Sequence, residues 1–363
     1  MRSNPRVLLI GPKSAFGWTE STARAFESLG CSFATIFYNR SRLRQGFGHF
    51  RRVMTKQVGV QQFTAPQWIQ TKYAEWLGAR ASQALVRTSL AFRPDLVVIL
   101  KGETLQAAVL KELKATTGAT LVAWWIDHPF MNAEIGSDWR EVPECIPLYD
   151  HGFVFDHSYE APLRSAGAQS VSFLPCAADQ ELITPRRLTS AERATYSANI
   201  SFLGAFYENR GQLVSALAGE PGLMVWGPGW KQWPTSKRSG LLRSFKGEAV
   251  FPLETSKVYN ASLVNLNAHH PQTRIAGLNC RSFEILAAGG FELTDYVSGM
   301  EELLDPDREV AVYRSPEEAV ELTRYYLKEP ERRRRIAEAG RRRVLAGHTY
   351  HHRMRAMLAI LCA

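Results

Sequence analysis

The sequence predicts an α/β protein built from two Rossmann-like, doubly wound domains that face each other across a cleft. Short apolar runs alternate with helical stretches, as buried parallel strands do when helices cross back between them. The first run, Val7 to Ile10, ends at Gly11, and comparable runs follow at 94–101 and 119–126. The 363 residues exceed one typical core, so we expect two domains of roughly 150 to 190 residues.

The composition is that of a globular protein with an excess of positive charge. Apolar residues make up 45% of the chain, and the first apolar run is far too short for a signal peptide. The five cysteines are scattered, which predicts reduced thiols in a cytoplasmic protein. The net charge of +9 favours anionic partners, namely nucleotide sugars, acidic glycans, an anionic membrane surface or nucleic acid.

Two segments carry much of this charge. The segment from Arg40 to Lys56 lacks clear periodicity, and we expect a segment that is mobile or faces the acceptor. The segment 332–343 begins with RRRR and ends with RRR, and we interpret it as a solvated helix face. Neither segment has the aromatic and basic pattern of a nucleic-acid module, so we predict no nucleic-acid partner.

The first half alternates between strands and helices. The loop after the first strand fits neither the dinucleotide fingerprint nor a Walker A loop, which argues against NAD and P-loop ATP binding. Further predicted strands are 32–37, 151–155 and 171–174, and predicted helices are 19–29, 65–92, 105–115 and 158–166.

Asp127 and His128 follow the predicted strand at 119–126 directly and are held by Pro129. In doubly wound sheets, ligands bind beyond the carboxyl ends of the strands. We therefore take Asp127 and His128 as candidate functional residues. The alternative is a strand-terminating turn in which Asp127 caps the next segment.

The second half predicts another sheet after a segment without apolar periodicity, 180–198, which we interpret as an interdomain linker. A loop at 204–210 follows the first strand of this sheet. Predicted strands are 199–203, 223–226, 249–251, 263–267 and 310–313, and predicted helices are 211–218, 254–261, 299–303, 316–327 and 350–361.

The most informative stretch is NCRSFEILAAGGFELTD, which runs from Asn279 to Asp295. It predicts a helix whose N-terminus attracts an anion, and Arg281 adds a bidentate fork suited to phosphate. Glu284 lies one turn later on the same face, where its carboxylate suits a ribose diol. The pair Gly289–Gly290 ends the helix and allows a close approach to a ligand. The alternative is an ordinary helix with a surface arginine and glutamate.

Several pieces of the chain resemble GT-B glycosyltransferases, in particular the group that includes the spore maturation protein CgeB. The pieces in the second half are NISFLGAFYENRGQLVSAL, VWGPGW, YNASLVNLN, GLNCRSFEILAAGGFELTD, YRSPEEAVELTRYYL and HTYHHR. The first half resembles the group more thinly, through RPDLVVILKGE, VAWWIDHP, YDHGFVFD and FLPCAAD. The resemblance covers most of the chain, and the FEILAAGG piece is its most specific part.

The resemblance implies roles for particular residues. Retaining enzymes of this group have two glutamates eight positions apart; the later one, which binds the nucleotide ribose, matches Glu284, and the earlier one falls at Ala276. Glu292 has the same separation from Glu284 but lies in the following strand, and we attribute this to coincidence. The cation that neutralises the donor pyrophosphate matches Arg210, with Arg281 as its helper.

Other candidates follow from the same resemblance. His128 matches a first-domain position near the transferred sugar, and Asp127 precedes it. Gly204 follows the first strand of the second domain, and Asn279 flanks the anion-binding helix. Independently of the resemblance, Gly227 in WGPGW either brings backbone close to the nucleobase or forms a tight turn after a strand. No cofactor is expected, and we predict no metal site because the histidines lack partners at zinc spacing.

These observations predict a bacterial, cytoplasmic enzyme that transfers a sugar, with retention and without a metal, from a nucleoside diphosphate donor. We expect a UDP-sugar as donor and a protein, glycan or small molecule as acceptor. The predicted domains are 1–180 and 199–345, and a terminal helix at 346–363 packs back on the first domain or makes weak peripheral contact with an anionic membrane. The alternative function is a catalytically weak nucleotide-sugar or glycan-binding protein.

Overall fold

A computed structural model describes residues 4–13, 17–38, 85–103, 105–130, 142–232, 243–247 and 252–362. These residues form two compact units. The first consists of the chain up to Phe153, residues 161–172 and the last residues from Leu361, and the second consists of 154–160 and 173–360. The predicted basic segment from Arg40 to Lys56 and the predicted strand at 249–251 lie outside the described residues.

The sheet of the first unit has six strands within the described residues, in the order β2-β1-β3-β4-β5-β6. Every side chain of β1 and β3 is apolar or glycine and buried, as expected for central parallel strands covered on both faces. Because β1 pairs with both β2 and β3, the strand order reverses direction between β1 and β3. The strands are β1 (Val7–Gly11), β2 (Phe33–Phe37), β3 (Leu96–Leu100), β4 (Thr120–Trp125), β5 (His151–Val154) and β6 (Val171–Phe173).

Helices connect these strands at nearly the predicted positions. Of the predicted helix at 65–92, only residues 85–92 are described, and they are helical. Gly17 precedes the first helix in the left-handed conformation, with φ 66°. The helices of the first half are α1 (Trp18–Ser28), α2 (Ala107–Thr117), α3 (Val142–Cys145) and α4 (Glu160–Ser165).

The sheet of the second unit also has six strands among the described residues, in the order β12-β11-β10-β7-β8-β9. Strands β7 and β10 are parallel neighbours in the middle, and the chain builds outward from them in both directions. The strands are β7 (Ala198–Leu203), β8 (Leu223–Trp226), β9 (Phe245–Gly247), β10 (Ser262–Asn267), β11 (Glu292–Asp295) and β12 (Ala311–Tyr313).

The core of this unit is formed by the apolar side chains of its central strands, which pack against helices on the sheet. Phe202, Val264 and Leu293 are completely buried there. Burying one such side chain stabilises the fold by about 1.5–3 kcal/mol. The helices are α5 (Ser190–Tyr196), α6 (Glu208–Ala216), α7 (Pro252–Ala261), α8 (Cys280–Ala287), α9 (Pro316–Lys328), α10 (Pro330–Gly347) and α11 (Tyr350–Cys362).

Two sequence expectations need correction. The segment 180–198 is not a structureless linker, because α5 forms there with a capping box between Thr189 and Glu192, and Lys257 of α7 pairs with Glu192 at 2.6 Å. Its capping signal is local and carries no apolar periodicity. In addition, α6 begins at Glu208, so Arg210 belongs to the first turn of a helix rather than to the preceding loop.

The described helices include none that combines the length and apolar character needed to cross a membrane. The predicted solvated face of α10 is present, since Arg332, Arg334 and Arg335 are exposed. The predicted start of α9 is present too, because Ser315 accepts a hydrogen bond from the backbone N–H of Glu318 at 3.1 Å. The packing of α11 on the first domain stays a prediction.

Candidate functional site

The candidate site lies where the strand order of the second sheet reverses, at the carboxyl ends of β7 and β10. Such a switch point leaves a crevice between connections that depart to opposite sides. Helix α6 follows β7 and carries Arg210 in its first turn, whereas α8 follows β10 and carries Arg281 and Glu284. The fold therefore brings together the three residues that the sequence singled out for the donor.

Arg210 is a buried cation held by backbone carbonyls. Its Nε donates to the carbonyl of Ala268 and its Nη1 to that of Ala205, both at 3.0 Å. The guanidinium also lies over the ring of Tyr207, with 4.7 Å between its central carbon and the ring centroid. Burial and the positive charge of Arg281 lower the pKa of Arg210 well below its usual value, although an arginine stays charged.

Arg281 approaches the same place from α8. Its Nη1 donates to the carbonyl of Leu203 at 2.7 Å, and its guanidinium lies over the ring of Phe202 at 5.8 Å. Its Nε is buried and makes no hydrogen bond with the described part of the chain. Within that part, neither Arg210 nor Arg281 forms an ion pair, and the Nη2 of each makes no hydrogen bond.

Glu284 is half-buried one turn after Arg281. Its carboxylate makes no hydrogen bond to the described residues. The charges of Arg281 and Asp179 both affect its pKa. Burial raises the pKa of Glu284 to about 7, Arg281 opposes this rise and Asp179 adds to it. A carboxyl group of this kind accepts hydrogen bonds from a ligand when it is ionised.

Asn279 caps α8, and hydrogen bonds hold its side chain in place. Its Oδ1 accepts from the backbone N–H of Ser282 at 3.3 Å, and its Nδ2 donates to Oδ1 of Asn267 at 3.1 Å. Asn267 ends β10, so these bonds join the start of the helix to the end of a central strand. A direct contact of Asn279 with a nucleotide stays a prediction, since its observed contacts are those of a cap.

Two further groups beneath α8 were not singled out by sequence reasoning. Glu292 on β11 is completely buried, and its Oε1 accepts from Nδ2 of Asn267 at 2.8 Å. His269 follows β10 and contacts Asp295 through Nδ1 at 2.8 Å. Burial alone would raise the pKa of Asp295, but the charge and hydrogen bonds of His269 outweigh it and lower that pKa. The available signal for Glu292 was a carboxylate between the apolar Phe291 and Leu293 at the start of a short strand.

Gly204 and Gly227 shape the two connections beside Arg281. A side chain at Gly204 would overlap the guanidinium of Arg281, and one at Gly227 would overlap the carbonyl of Gly204. Gly204 also donates its N–H to the carbonyl of Trp226 at 2.9 Å. Both glycines therefore allow the connection after β8 to pack on the connection after β7. Their predicted contact with the nucleotide stays a prediction.

The two glycines after α8 have different roles, and the role of the second differs from our expectation. Gly289 is left-handed, with φ 80°, and ends the helix as predicted. A side chain at Gly290, however, would meet Asn265 and the backbone of Tyr259. Its close approach is thus to neighbouring protein atoms. The expected approach of this pair to a ligand is wrong for Gly290.

Ala276, where the resemblance places a glutamate, lies in the loop before α8. It is buried with a positive φ of 57°, and its N–H donates to the carbonyl of Ser298 at 2.7 Å. The neighbouring Gly277 packs against Asp156, whose Oδ2 accepts the backbone N–H groups of Arg274 and Ile275 at 2.6 and 3.0 Å. Hydrogen bonds from the backbone N–H groups of the loop, two of them to Asp156, therefore hold its shape without a glutamate at position 276.

Asp127 and His128 of the first unit follow β4 at its carboxyl end, as predicted. Asp127 pairs with Lys101, which also lies 3.3 Å from Glu103 and 4.8 Å from the centroid of the Trp18 ring. Burial alone would lower the pKa of Lys101, but the two carboxylates outweigh it and raise that pKa. Sequence reasoning missed Lys101, which directly follows β3 in a left-handed conformation with φ 62°.

His128 is oriented by its own turn. Its Nδ1 accepts the backbone N–H of Phe130 at 3.0 Å, and the two rings meet edge to face. When neutral, the ring therefore carries its proton on Nε2 and acts there as a hydrogen-bond donor. Among the described residues, no three His, Cys, Asp or Glu side chains are grouped to hold a metal ion.

Comparisons with known proteins agree with this geometry. Residues 210–359 match the family described as glycosyl transferase-like. The spore protein CgeB of Bacillus subtilis (strain 168) is 22% identical over 303 residues, which cover 79% of this chain and 89% of CgeB. Residues 210–359 are therefore glycosyltransferase-like in sequence. The resemblance to the CgeB group that the sequence predicted is confirmed.

Solved structures confirm the fold. Sucrose-phosphate synthase from Thermosynechococcus elongatus superposes with a TM-score of 0.67 at 15% identity, covering 98% of both chains. Anabaena Alr3699/HepE in complex with UDP and glucose gives 0.65 at 11% identity, covering 99% of this chain and 100% of its own. An α,α-trehalose 6-phosphate synthase from Burkholderia multivorans gives 0.59 at 12% identity, covering 98% and 97%. The chain has the GT-B fold, as the sequence predicted.

Proposed function

We propose that this glycosyltransferase uses a nucleoside diphosphate sugar, and that the donor diphosphate binds between Arg210, Arg281 and the start of α8. One observation carries the proposal: two arginines converge on the switch point without a carboxylate paired to either among the described residues. Two like charges in a partly buried place repel each other. An anion bound between them would relieve that repulsion and accept hydrogen bonds from both Nη2 atoms.

The start of α8 supports the same assignment. Backbone N–H groups in the first turn of a helix favour an anion, and Asn279 satisfies only the N–H of Ser282 there. Glu284 follows one turn later with a carboxylate that has no hydrogen bond in the described structure. We assign Glu284 to the ribose hydroxyls of the nucleotide.

These groups suit the departure of a diphosphate. Cleavage of the bond between sugar and phosphate builds negative charge on the leaving group, and fixed cations stabilise that charge without moving during the reaction. Two arginines and a helix N-terminus supply positive charge, so the proposal includes no metal and no cofactor. We propose retention at the anomeric carbon, which the resemblance of Glu284 and its helix to retaining enzymes supports.

We propose a UDP-sugar as donor, in keeping with the structural similarity to HepE, which has been solved with UDP and with UDP-glucose. Asp127 and His128 would serve the transfer step, with His128 donating a hydrogen bond from Nε2. The sugar passes to a hydroxyl of a protein, glycan or small molecule. We place the reaction in the cytoplasm, because the cysteines in the described residues are free thiols.

A second candidate is a binding protein with little turnover, favoured by the alanine at position 276. Donor hydrolysis and transfer separate the two functions. An enzyme cleaves UDP-glucose or a related donor, and Arg210→Ala and Glu284→Ala reduce the cleavage, whereas a binding protein holds the donor intact. Calorimetric titration with UDP, GDP and dTDP is the first step, and binding of none of them would refute the donor site.

A further inference from the structure

Glu292 lies beneath the proposed diphosphate site without reaching the surface. The side chain is completely buried on β11, directly behind the first turn of α8. Its Oε1 accepts from Asn267, whereas its Oε2 makes no hydrogen bond with the described residues. An ionised carboxylate in this place would be a buried charge with one unsatisfied oxygen, which is costly. The neutral acid avoids that cost.

Glu292 belongs to a polar cluster that fixes the start of α8. Nδ2 of Asn267 lies within hydrogen-bond distance of Glu292, Asn279 and Ser282, at 2.8, 3.2 and 3.0 Å. Asn279 and Ser282 are the cap residue and its partner at the N-terminus of the helix. A change in Glu292 would therefore be transmitted to the helix end that faces the diphosphate.

The surroundings of Glu292 determine its protonation state. Burial raises its pKa to about 8, although Asn267, Ser282 and Arg281 favour the ionised form and Asp295 opposes it. His269 contacts Ser282 through Nε2 at 3.5 Å and so lies one side chain away. The titratable groups that face Glu292 from the packed elements are Arg281 on α8, Asp295 on β11, His269 after β10, Tyr259 on α7 and Tyr313 on β12.

We propose that Glu292 is a positioning residue for donor binding, acting as a neutral carboxylic acid that holds the start of α8 and leaves the charge of Arg281 to the diphosphate. The inference rests on the proposed donor site. Ionisation of Glu292 would place a negative charge near Arg281 and near the bound diphosphate. Both effects weaken the anion site, and by linkage the bound diphosphate would in turn keep Glu292 protonated.

The test compares the wild type with Glu292→Gln, which keeps the shape and stays neutral at every pH. UDP affinity is measured by calorimetry between about pH 7 and pH 9. For the wild type we expect a loss of about fivefold or more over this range, as for a typical coupling between two sites. For Glu292→Gln we expect an affinity equal to that of the wild type near pH 7 and no comparable loss at higher pH.

The matched control is Glu321→Gln, which removes an exposed carboxylate on α9 and should follow the wild-type profile. Equal losses in wild type and Glu292→Gln would overturn the inference, as would a flat wild-type profile. A Glu292→Gln variant that folds but binds UDP more than about fivefold more weakly near pH 7 would overturn it as well, because a neutral isostere should suffice.

Two readouts separate this inference from the donor site itself. If the wild type binds none of UDP, GDP and dTDP, the proposed donor site is refuted, and so is the proposed role of Arg281 in it. Thermal melting still reports whether Glu292 is neutral. Its pKa is raised by folding, so its stabilising effect is complete below about pH 4.5 and is lost as the pH rises through about 8. Relative to Glu292→Gln, the wild type should therefore lose about 3 °C or more over that range.

Infrared spectroscopy covers the case in which Glu292→Gln does not fold. In the Glu284→Gln background, which removes the other carboxyl group with a strongly raised pKa, a protonated carboxyl band should be present near pH 7 and absent near pH 9. No such band near pH 7 would overturn the inference.

Discussion

Lys101 at the switch point of the first sheet lies against two carboxylates, those of Asp127 and Glu103, whereas the arginines at the second switch point donate to carbonyls. The first cation is therefore neutralised within the protein. Arg210 and Arg281 have no carboxylate paired to them among the described residues, and the positive charge of Arg281 acts on Arg210. The two six-stranded parallel sheets thus differ in whether a described carboxylate pairs with the cation at the switch point.

The difference teaches how a common fold is specialised. Both switch points lie at the carboxyl ends of parallel strands that are followed by helices, so the strand ends alone do not show which of them binds an anion. The side chains do, because two cations with no carboxylate paired to them among the described residues leave a place for an external anion, and a cation held by two carboxylates does not. The predictions below test this contrast.

The largest expected effect concerns Gly227, which lets the connection after β8 pack on Gly204 beside Arg281. Gly227→Ala places a methyl group into the carbonyl of Gly204, in a backbone conformation with φ 142° that alanine rarely adopts. We expect a loss of about 3 kcal/mol or more in unfolding free energy, measured by chemical denaturation. Gly219→Ala is the control, because nothing lies within 4 Å of the added carbon. Equal stability of the two variants would contradict the packing described.

The next effect concerns Arg281, which has no carboxylate paired to it among the described residues. Arg281→Ala should weaken UDP binding about 100-fold, the cost of removing one fixed donor from a charged site. Arg281→Lys should recover only part of this loss, since a lysine lacks the planar fork. The control is Arg335→Ala on the exposed face of α10, which removes the same charge elsewhere. Equal effects of Arg281→Ala and Arg335→Ala in calorimetry would argue against a local anion site.

A smaller effect is expected at Glu284. Glu284→Gln should weaken UDP binding about tenfold, as for a lost hydrogen bond to a charged group. The loss should be much smaller for 2′-deoxy-UDP if the carboxylate binds that hydroxyl. Because the pKa of Glu284 is about 7, the wild-type preference for ribose should grow as the pH rises through that value. A preference that is independent of pH and of Glu284→Gln would refute the ribose contact.

The smallest effect on donor binding is expected in the first unit. Lys101→Met removes a cation that is already paired, so UDP affinity should change less than about twofold, within the variation of distant substitutions. The protein should nevertheless lose stability, because Asp127 and Glu103 lose their partner. Melting curves and calorimetry on the same sample measure both quantities. A large loss of UDP affinity without a loss of stability would contradict the difference that we describe between Lys101 and the two arginines.

Much of the fold was predictable because apolar strands such as Val7 to Ile10 are buried on both faces and leave a continuous signal. Helix α5 was missed since it has no buried residue and depends on its cap and on Lys257. Arg281 and Glu284 were predictable because they share one face of a single helix.

Other parts of the site depend on contacts between distant segments. The contact of Glu292 with Asn267 was not predicted, because the two residues come from different strands and only folding places them side by side. The pairing of Lys101 with Asp127 joins the ends of two strands in the same way. No local pattern in the sequence reports such pairs.

A crystal structure with bound UDP tests the central claim most directly. We predict the diphosphate between Nη2 of Arg210, Nη2 of Arg281 and the first turn of α8, with the ribose hydroxyls on the carboxylate of Glu284. A diphosphate bound elsewhere, with both arginines unchanged in their contacts, would contradict the account.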